Sequence, residues 1–184
     1  FSSAASDVYK RQVKDRGGDS VSVGHDCRLS GPRIYEAFCS GIRTAGADVL
    51  GLGAVATPLT YFSEHHLNTD ASVSITGSHN PSNWNGFKFT IGRGALFGED
   101  IQDLRKRAST VKPTHQLGRF TSVNIQSAYI ENALKSLKPL THDVQVVCDA
   151  GSGMAGPIAP LLYEQMGATV VPLFCEPDGA FPHH

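Results

Sequence analysis

Ser78 and His79 stand side by side in the stretch Thr76-Gly77-Ser78-His79-Asn80-Pro81, and Lys88 follows ten residues after the serine. A hydroxyl, an imidazole and an ammonium in so short a span offer an oxygen nucleophile or phosphate carrier, a proton donor or acceptor, and a cation. Gly77 permits a tight backbone beside the serine and Pro81 ends that turn; Asn83, Asn85 and Gly86 then make a second turn that returns the chain as a strand from Phe87. The five residues before Thr76, ASVSI, alternate apolar and polar as a half-buried strand does. The loop is thus placed at the carboxyl end of a strand, where open α/β sheets hold their ligands. The same residue types also populate turns for conformational reasons alone, with Ser78 and Asn80 bonding local backbone. Spacing does not separate the two readings.

The elements that must position this loop alternate along the chain. SVSVG (20–24) reads as a strand, and Ser30 with Pro32 opens a helix whose apolar face is Ile34, Ala37, Phe38, Gly41, Ile42 and Ala45, stopped by Gly46. DVLGLG (48–53) is a second strand, and Thr57-Pro58 an N-cap and first-turn proline starting a helix to about Asn68. Ala71, Val73 and Ile75 share one face of the third strand, and 87–91 is a fourth. Residues 99–109 and 124–137 carry apolar residues at helical spacing. LKPLTHD (137–143) is polar and proline-bearing, a boundary, after which a strand (144–150), GSGMAG, a helix from Pro157 to about Met166 and a strand (168–174) follow.

This order predicts an α/β fold, a mostly parallel mixed sheet with helices on both faces, followed by the first βαβ unit of a second, similar domain. The expected division is a disordered tail or non-native scar over 1–12, a first domain over 13–138, and the truncated start of a second over 139–184. A lone βαβ unit leaves sheet edges and apolar faces uncovered, so that end is expected to be the less stable.

With 184 residues, 40% hydrophobic and 18% charged, and a net charge of −1, the chain is that of an ordinary globular protein with no basic excess to draw it to nucleic acid or an anionic membrane. No apolar run approaches the roughly 18 residues that span a bilayer, and a cytoplasmic location is expected. Cys27, Cys39, Cys148 and Cys175 form no CxxC pair, so neither a zinc ribbon nor a disulfide framework is indicated.

TGSHNPSNWNGFKF resembles the phosphoserine loop of the α-D-phosphohexomutases, whose pattern is Thr-x-Ser-His-Asn-Pro followed by Asn-Gly-x-Lys. The match falls on Thr76, Ser78, His79, Asn80, Pro81, Asn85, Gly86 and Lys88. VGHDCRLSGP, GAVATPL, VVCDAGSGMAGPIAPLL and PLFCEPDGAFPHH extend the likeness over about 19–184, nearest to the bacterial phosphomannomutase/phosphoglucomutase branch. The resemblance implies a three-layer αβα domain in which Ser78 carries a phosphoryl group. It implies that Ser78, His79 and Lys88 serve catalysis, and that His79, Asn80 and Lys88 contact a mannose or glucose phosphate. It implies a bisphosphosugar intermediate and a Mg²⁺ ion bound by the Ser78 phosphate and by three aspartates of an Asp-Gly-Asp-x-Asp-Arg loop. That loop, the sugar-reading Gly-Glu-x-Ser-Gly-His loop and the Tyr-Asp-x-Arg-Gly arginine are not in this sequence. The chain is therefore expected to act as a fragment, inactive alone in mutase turnover.

Three rivals stand beside this reading. Gly151, Gly153 and Gly156 make a GxGxxG between a strand and a helix with Glu176 downstream, a dinucleotide fingerprint. Against it, Asp149 would oppose a pyrophosphate and Pro157 removes an N–H from the helix terminus. A serine hydrolase would require Gly-x-Ser-x-Gly, which residues 76–80 lack. The third is a phosphosugar-binding module without catalysis. His65-His66 and His183-His184 are weak metal candidates, since adjacent helical residues point apart and terminal histidines are solvated. Asp26 and Arg28 either reach Ser78 across the strand ends or pair with each other on the surface, the latter favoured.

Overall fold

The computed structural model describes Val13, residues 17–107 and residues 116–183. The expected tail at 1–12 and His184 lie outside these residues, as does the end of the helix expected over 99–109.

The elements are β1 (Ser20–His25), α1 (Gly31–Thr44), β2 (Asp48–Ala54), α2 (Thr57–His66), β3 (Ala71–Ile75), β4 (Phe87–Ile91), β5 (Gly94–Ala95), α3 (Glu99–Arg107), β6 (Phe120–Ser122), α4 (Gln126–Ser136), β7 (Gln145–Asp149), α5 (Ala159–Gln165) and β8 (Thr169–Leu173). A six-stranded sheet has the order β5-β4-β3-β1-β2-β6. β1 is parallel to β2 and β3, and β6 is parallel to β2; β4 returns antiparallel to β3, with β5 antiparallel to β4. The mixed, mostly parallel sheet is the expected one.

Its two faces bury different chemistry. Val21, Val23, Val49, Val73 and Ile75, each at most 1% exposed, pack with Phe38 and Ile42 of α1. Burying each such side chain is worth about 1.5–3 kcal/mol. On the other face Leu59 of α2 joins Leu52, Ile125 and Ile130.

β3 overturns the reading of ASVSI as half-buried, since all five residues are buried. The serines face α2, and neighbouring hydroxyls partner them. Ser74 Oγ lies 3.1 Å from Thr57 Oγ1, and Ser72 Oγ 2.6 Å from Thr90 Oγ1. The buried Glu64 carboxylate accepts from Thr90 Oγ1 and, at 2.5 Å, from the Arg93 N–H. A central strand covered on both faces can carry polar residues only where each finds a partner.

Several boundaries shift. Ala56 is the N-cap of α2, and Thr57 spends its hydroxyl on Ser74 instead of capping. Ala37, expected on the apolar face of α1, is exposed. β6, unmarked by any alternation, forms the edge beside β2, fastened by Asp48, which accepts from Arg119 N at 2.8 Å and from its guanidinium at 2.8 and 3.0 Å.

β7 and β8 pair in parallel as a separate two-stranded sheet. Val147, Val171 and Leu173 on it are exposed. The unit nevertheless docks on the first sheet's helical face: Ile158 is 8% exposed in the cluster with Leu52, Leu59, Ile125 and Ile130, and Gln126 Nε2 donates to Pro157 O at 2.7 Å. α5 begins at Ala159, not Pro157, because residues 150–158 are taken up by successive turns.

Candidate functional site

The chain leaves β1 toward β2 and leaves β3 toward β4, so the loops after β1 and β3 diverge at adjacent carboxyl ends. Such a switch point is where open α/β sheets bind ligands, and here the two loops are bonded to each other. The loop after β1 carries Asp26 and Arg28; the loop after β3 carries Ser78.

The Ser78 loop is closed in part by its own polar atoms. Thr76 N donates to Gly86 O at 3.0 Å and closes the base. Thr76 Oγ1 accepts the Ser78 N–H at 2.9 Å. Gly77 O accepts from Asn80 N at 3.0 Å and from Asn80 Nδ2 at 2.9 Å, while Asn85 Nδ2 donates to Ser30 Oγ at 2.6 Å. These bonds hold Ser78 at φ 52°, a left-handed conformation for a residue with a Cβ. Such a backbone costs about 1–2 kcal/mol and persists where the surroundings over-determine it.

Asp26 and Arg28 supply that over-determination, which corrects the surface-pair reading. Arg28 is 2% exposed. Its Nε donates to Asp26 Oδ2 at 3.0 Å, its Nη2 to Ser78 O at 3.0 Å and Asn80 O at 2.8 Å, and its Nη1 to Pro81 O. Asp26 Oδ2 also accepts the Gly77 N–H at 3.2 Å. A Cβ on Gly77 would sit 2.4 Å from the guanidinium carbon, so glycine is required there by close approach.

Ser78 Oγ lies 3.2 Å from His79 Nδ1, and both residues are exposed. They line an open cleft of about 530 Å³ with Arg28, Asn80, Pro81, Ser82, Gly151, Ala180 and Phe181. Ser78, His79 and Asn80 are thus together, as expected. Lys88 is an exposed β4 residue opposite Ser74, does not line this cleft, and has no hydrogen bond to Ser78 or His79. Asn80 commits its amide N–H to Gly77 O, the local turn bond.

The glycine run 151–156 is not shaped as a dinucleotide cradle. The Gly151 N–H is taken by Asp149 Oδ1 at 2.9 Å, the Ser152 N–H by Phe174 O at 2.8 Å and the Gly153 N–H by Ala150 O at 2.8 Å. A Cβ on Gly156 would fall 1.8 Å from Cys175 O, so that glycine serves backbone packing. Among the histidine pairs, His66 stacks on Phe62 at 5.0 Å and His183 on Phe174 at 4.0 Å. No group of three His, Cys, Asp or Glu able to hold a metal occurs among the described residues. No helix among them is long and apolar enough to cross a membrane.

A three-layer α/β domain with a polar, serine-centred loop at the sheet's switch point is the class this geometry defines. The sequence profile described as "Phosphoglucomutase/phosphomannomutase, alpha/beta/alpha domain I" matches residues 1–114, and the chain belongs to that family. It is 43% identical over 169 residues to a phosphomannomutase/phosphoglucomutase of Pseudomonas putida, covering 92% of this chain and 36% of that protein. A phosphoglucomutase of Neisseria gonorrhoeae is 38% identical over 176 residues, covering 94% of this chain and 38% of that one. A crystal structure of a phosphoglucomutase/phosphomannomutase family protein from Burkholderia thailandensis superposes with a TM-score of 0.92 at 36% identity, over 99% of this chain and 41% of that one. The chain spans little more than a third of the length of these curated relatives.

Proposed function

We propose that the chain carries the phosphoryl-transfer loop of a phosphohexomutase, with Ser78 as the phosphoryl carrier. The whole protein would move phosphate between O6 and O1 of mannose or glucose phosphate in the cytoplasm, residues 13–138 forming the first domain and 139–184 opening a second. The observation that supports it best is Ser78 itself: a strained, over-determined residue whose hydroxyl opens onto a cleft with His79 Nδ1 at 3.2 Å.

In the transfer, a sugar hydroxyl oxygen attacks the phosphorus on Ser78, the bond from phosphorus to Oγ breaks, and the proton lost by that hydroxyl passes to the serine oxygen. In the return step Oγ gives up that proton and attacks the phosphorus of the sugar's other phosphate, the bond from that phosphorus to the sugar oxygen breaks, and the sugar oxygen takes the proton. His79 is placed to hold the proton, or to donate to a phosphoryl oxygen. A phosphoserine adds a charge of about −1.5 to −2; Arg28 and His79 are the basic residues at the cleft, and Lys88 would have to swing in to add a third.

The Mg²⁺ that the family resemblance implies does not find a full ligand set here. Among the described residues, the carboxylate bonded to the loop is Asp26, which is occupied by Arg28 and Gly77 and leaves a Ser78 phosphate as donor. A hard octahedral cation takes several oxygens, so no step is assigned through it.

The test is to incubate the full-length protein with glucose 1,6-bisphosphate and map phosphate by mass spectrometry. Phosphate is expected on Ser78, and Ser78→Ala is expected to abolish both the label and mutase turnover. Phosphate on another residue, with Ser78→Ala active, overturns the reading.

A further inference from the structure

We propose that Arg28 is a positioning residue for phosphoryl transfer: its guanidinium fixes the backbone at Ser78 and over the turn that follows it, and ties that loop to the unit beginning at β7. The inference rests on the reading of Ser78 as phosphoryl carrier.

Arg28 is buried, 50 residues distant from Ser78 in sequence, and spends its donors on Asp26 and on three carbonyls of a single turn, those of Ser78, Asn80 and Pro81. Holding the carbonyl of residue 78 inward fixes the peptide plane that follows it, and with it the direction in which Oγ and His79 meet the cleft. Only a planar fork can reach a carboxylate and several carbonyls at once; an ammonium in the same place cannot.

The cation is covered from the other side. Phe181 lies with its ring centroid 5.3 Å from the guanidinium carbon, a distance at which a ring face attracts a cation. Its segment is pressed against the loop after β1: a Cβ on Gly179 would stand 2.3 Å from Cys27 O, and Cys27 Sγ lies 3.6 Å from Ser152 O. The Ser78 loop is thus clamped by one residue from its own sheet, and that residue is itself held by the next unit. The strands do not depend on this clamp, since Thr76 to Gly86 and Asn85 to Ser30 close the hairpin independently.

The test is made in the full-length protein with Arg28→Lys, reading kcat and KM for glucose 1-phosphate, the rate of Ser78 phosphorylation by glucose 1,6-bisphosphate, and the fold by circular dichroism. Misplacing a reacting group by about 1 Å costs about 100-fold, so kcat and the phosphorylation rate are each expected to fall by about that factor while KM moves less than about threefold. A folded Arg28→Lys protein with unchanged kcat, or one that loses KM alone, overturns the proposal. Should Arg28→Lys fail to fold, Phe181→Leu uncovers the guanidinium and loosens its hold on the Ser78, Asn80 and Pro81 carbonyls, and is expected to lower kcat about tenfold at constant KM; unchanged kcat there overturns it equally. Ser78→Ala separates the two levels. An active Ser78→Ala protein sinks the phosphoryl-carrier reading, whereas an inactive one beside a fully active Arg28→Lys sinks only the role of Arg28.

Discussion

Gly77→Ala is the substitution that loads the Ser78 loop most directly. A Cβ at residue 77 would lie 2.4 Å from Arg28 Cζ, 2.5 Å from Arg28 Nε and 2.6 Å from Trp84 O, where ordinary contact begins at 3.4 Å. None of the three neighbours is free to yield: the guanidinium is fixed by Asp26 and three carbonyls, and the third is backbone. Overpacking costs about 1–3 kcal/mol, and breaking a buried ion pair about 3–5 kcal/mol. The two ranges meet at about 3 kcal/mol, the loss expected here whether the loop strains or Arg28 is expelled. A domain of ordinary stability holds about 5–15 kcal/mol, so the variant remains folded but weakened. With a urea slope of about 1–3 kcal/mol per molar, the midpoint of unfolding falls by about 1–3 M. Gly86→Ala is the internal control: its Cβ would meet only Thr76 O, at 3.1 Å, which a small backbone shift relieves. If urea unfolding followed by circular dichroism places Gly77→Ala within about 0.5 kcal/mol of the parent, a change typical of inert surface sites, the clamp by Arg28 is not as rigid as argued.

Asp70 links stability to acid. Burial alone would raise its pKa, but hydrogen bonds from Ser20 Oγ, Asp19 N and Ser20 N outweigh burial and leave it below the ordinary carboxylate value. A folded-state pKa below the unfolded one, about 3.9, means stabilisation that is complete above about pH 4 and is lost as pH falls through the folded value. Asp70→Asn is therefore expected to lower stability at pH 7 and to shrink the acid slope; Asp48, also lowered chiefly by hydrogen bonds from Arg119, keeps part of it. An unchanged acid slope in urea titrations at pH 7, 4 and 3 refutes this. Burial pushes the Cys39 thiol up to about 12. At pH 8 about one part in 10⁴ is thiolate, and the thiolate is the nucleophile. Iodoacetamide is accordingly expected to modify the part-exposed Cys27, Cys148 and Cys175 while sparing Cys39, and equal labelling of Cys39 refutes the burial.

The Ser78 loop was legible in sequence because its chemistry is contiguous: glycine, serine, histidine, asparagine and proline lie within five positions at the end of a strand, and the covalent chain alone brings them together. Arg28 was visible but misassigned for the opposite reason. An aspartate and an arginine two residues apart read as a local surface pair, and nothing nearby marks carbonyls some 50 positions away as the partners that bury it. The serines of β3 failed in a related way. Alternation reports two chemically different faces, and it equals half-exposure only when one face meets water; here α2 covers the polar face and Thr57, Glu64 and Thr90 partner its hydroxyls, directly or in relay. β6 left no pattern because an edge strand of three exposed residues has no buried face to encode.

The glycine run at 151–156 shows where a motif stops being informative. Its spacing meets the dinucleotide fingerprint, yet each requirement behind that fingerprint is met here by something other than a ligand. The N–H groups at 151, 152 and 153 already have acceptors, Asp149 supplies one of them, and Gly156 admits Cys175 O. The turn that results brings Ser152 O to Asp178 N at 2.8 Å and to within 3.6 Å of Cys27 Sγ. These glycines thereby seat the segment carrying Phe181 against the loop that carries Arg28. Close backbone approach is the shared physical cause, and what approaches decides the function: a pyrophosphate in a nucleotide-binding domain, and in this chain the polypeptide that covers the anchor of Ser78.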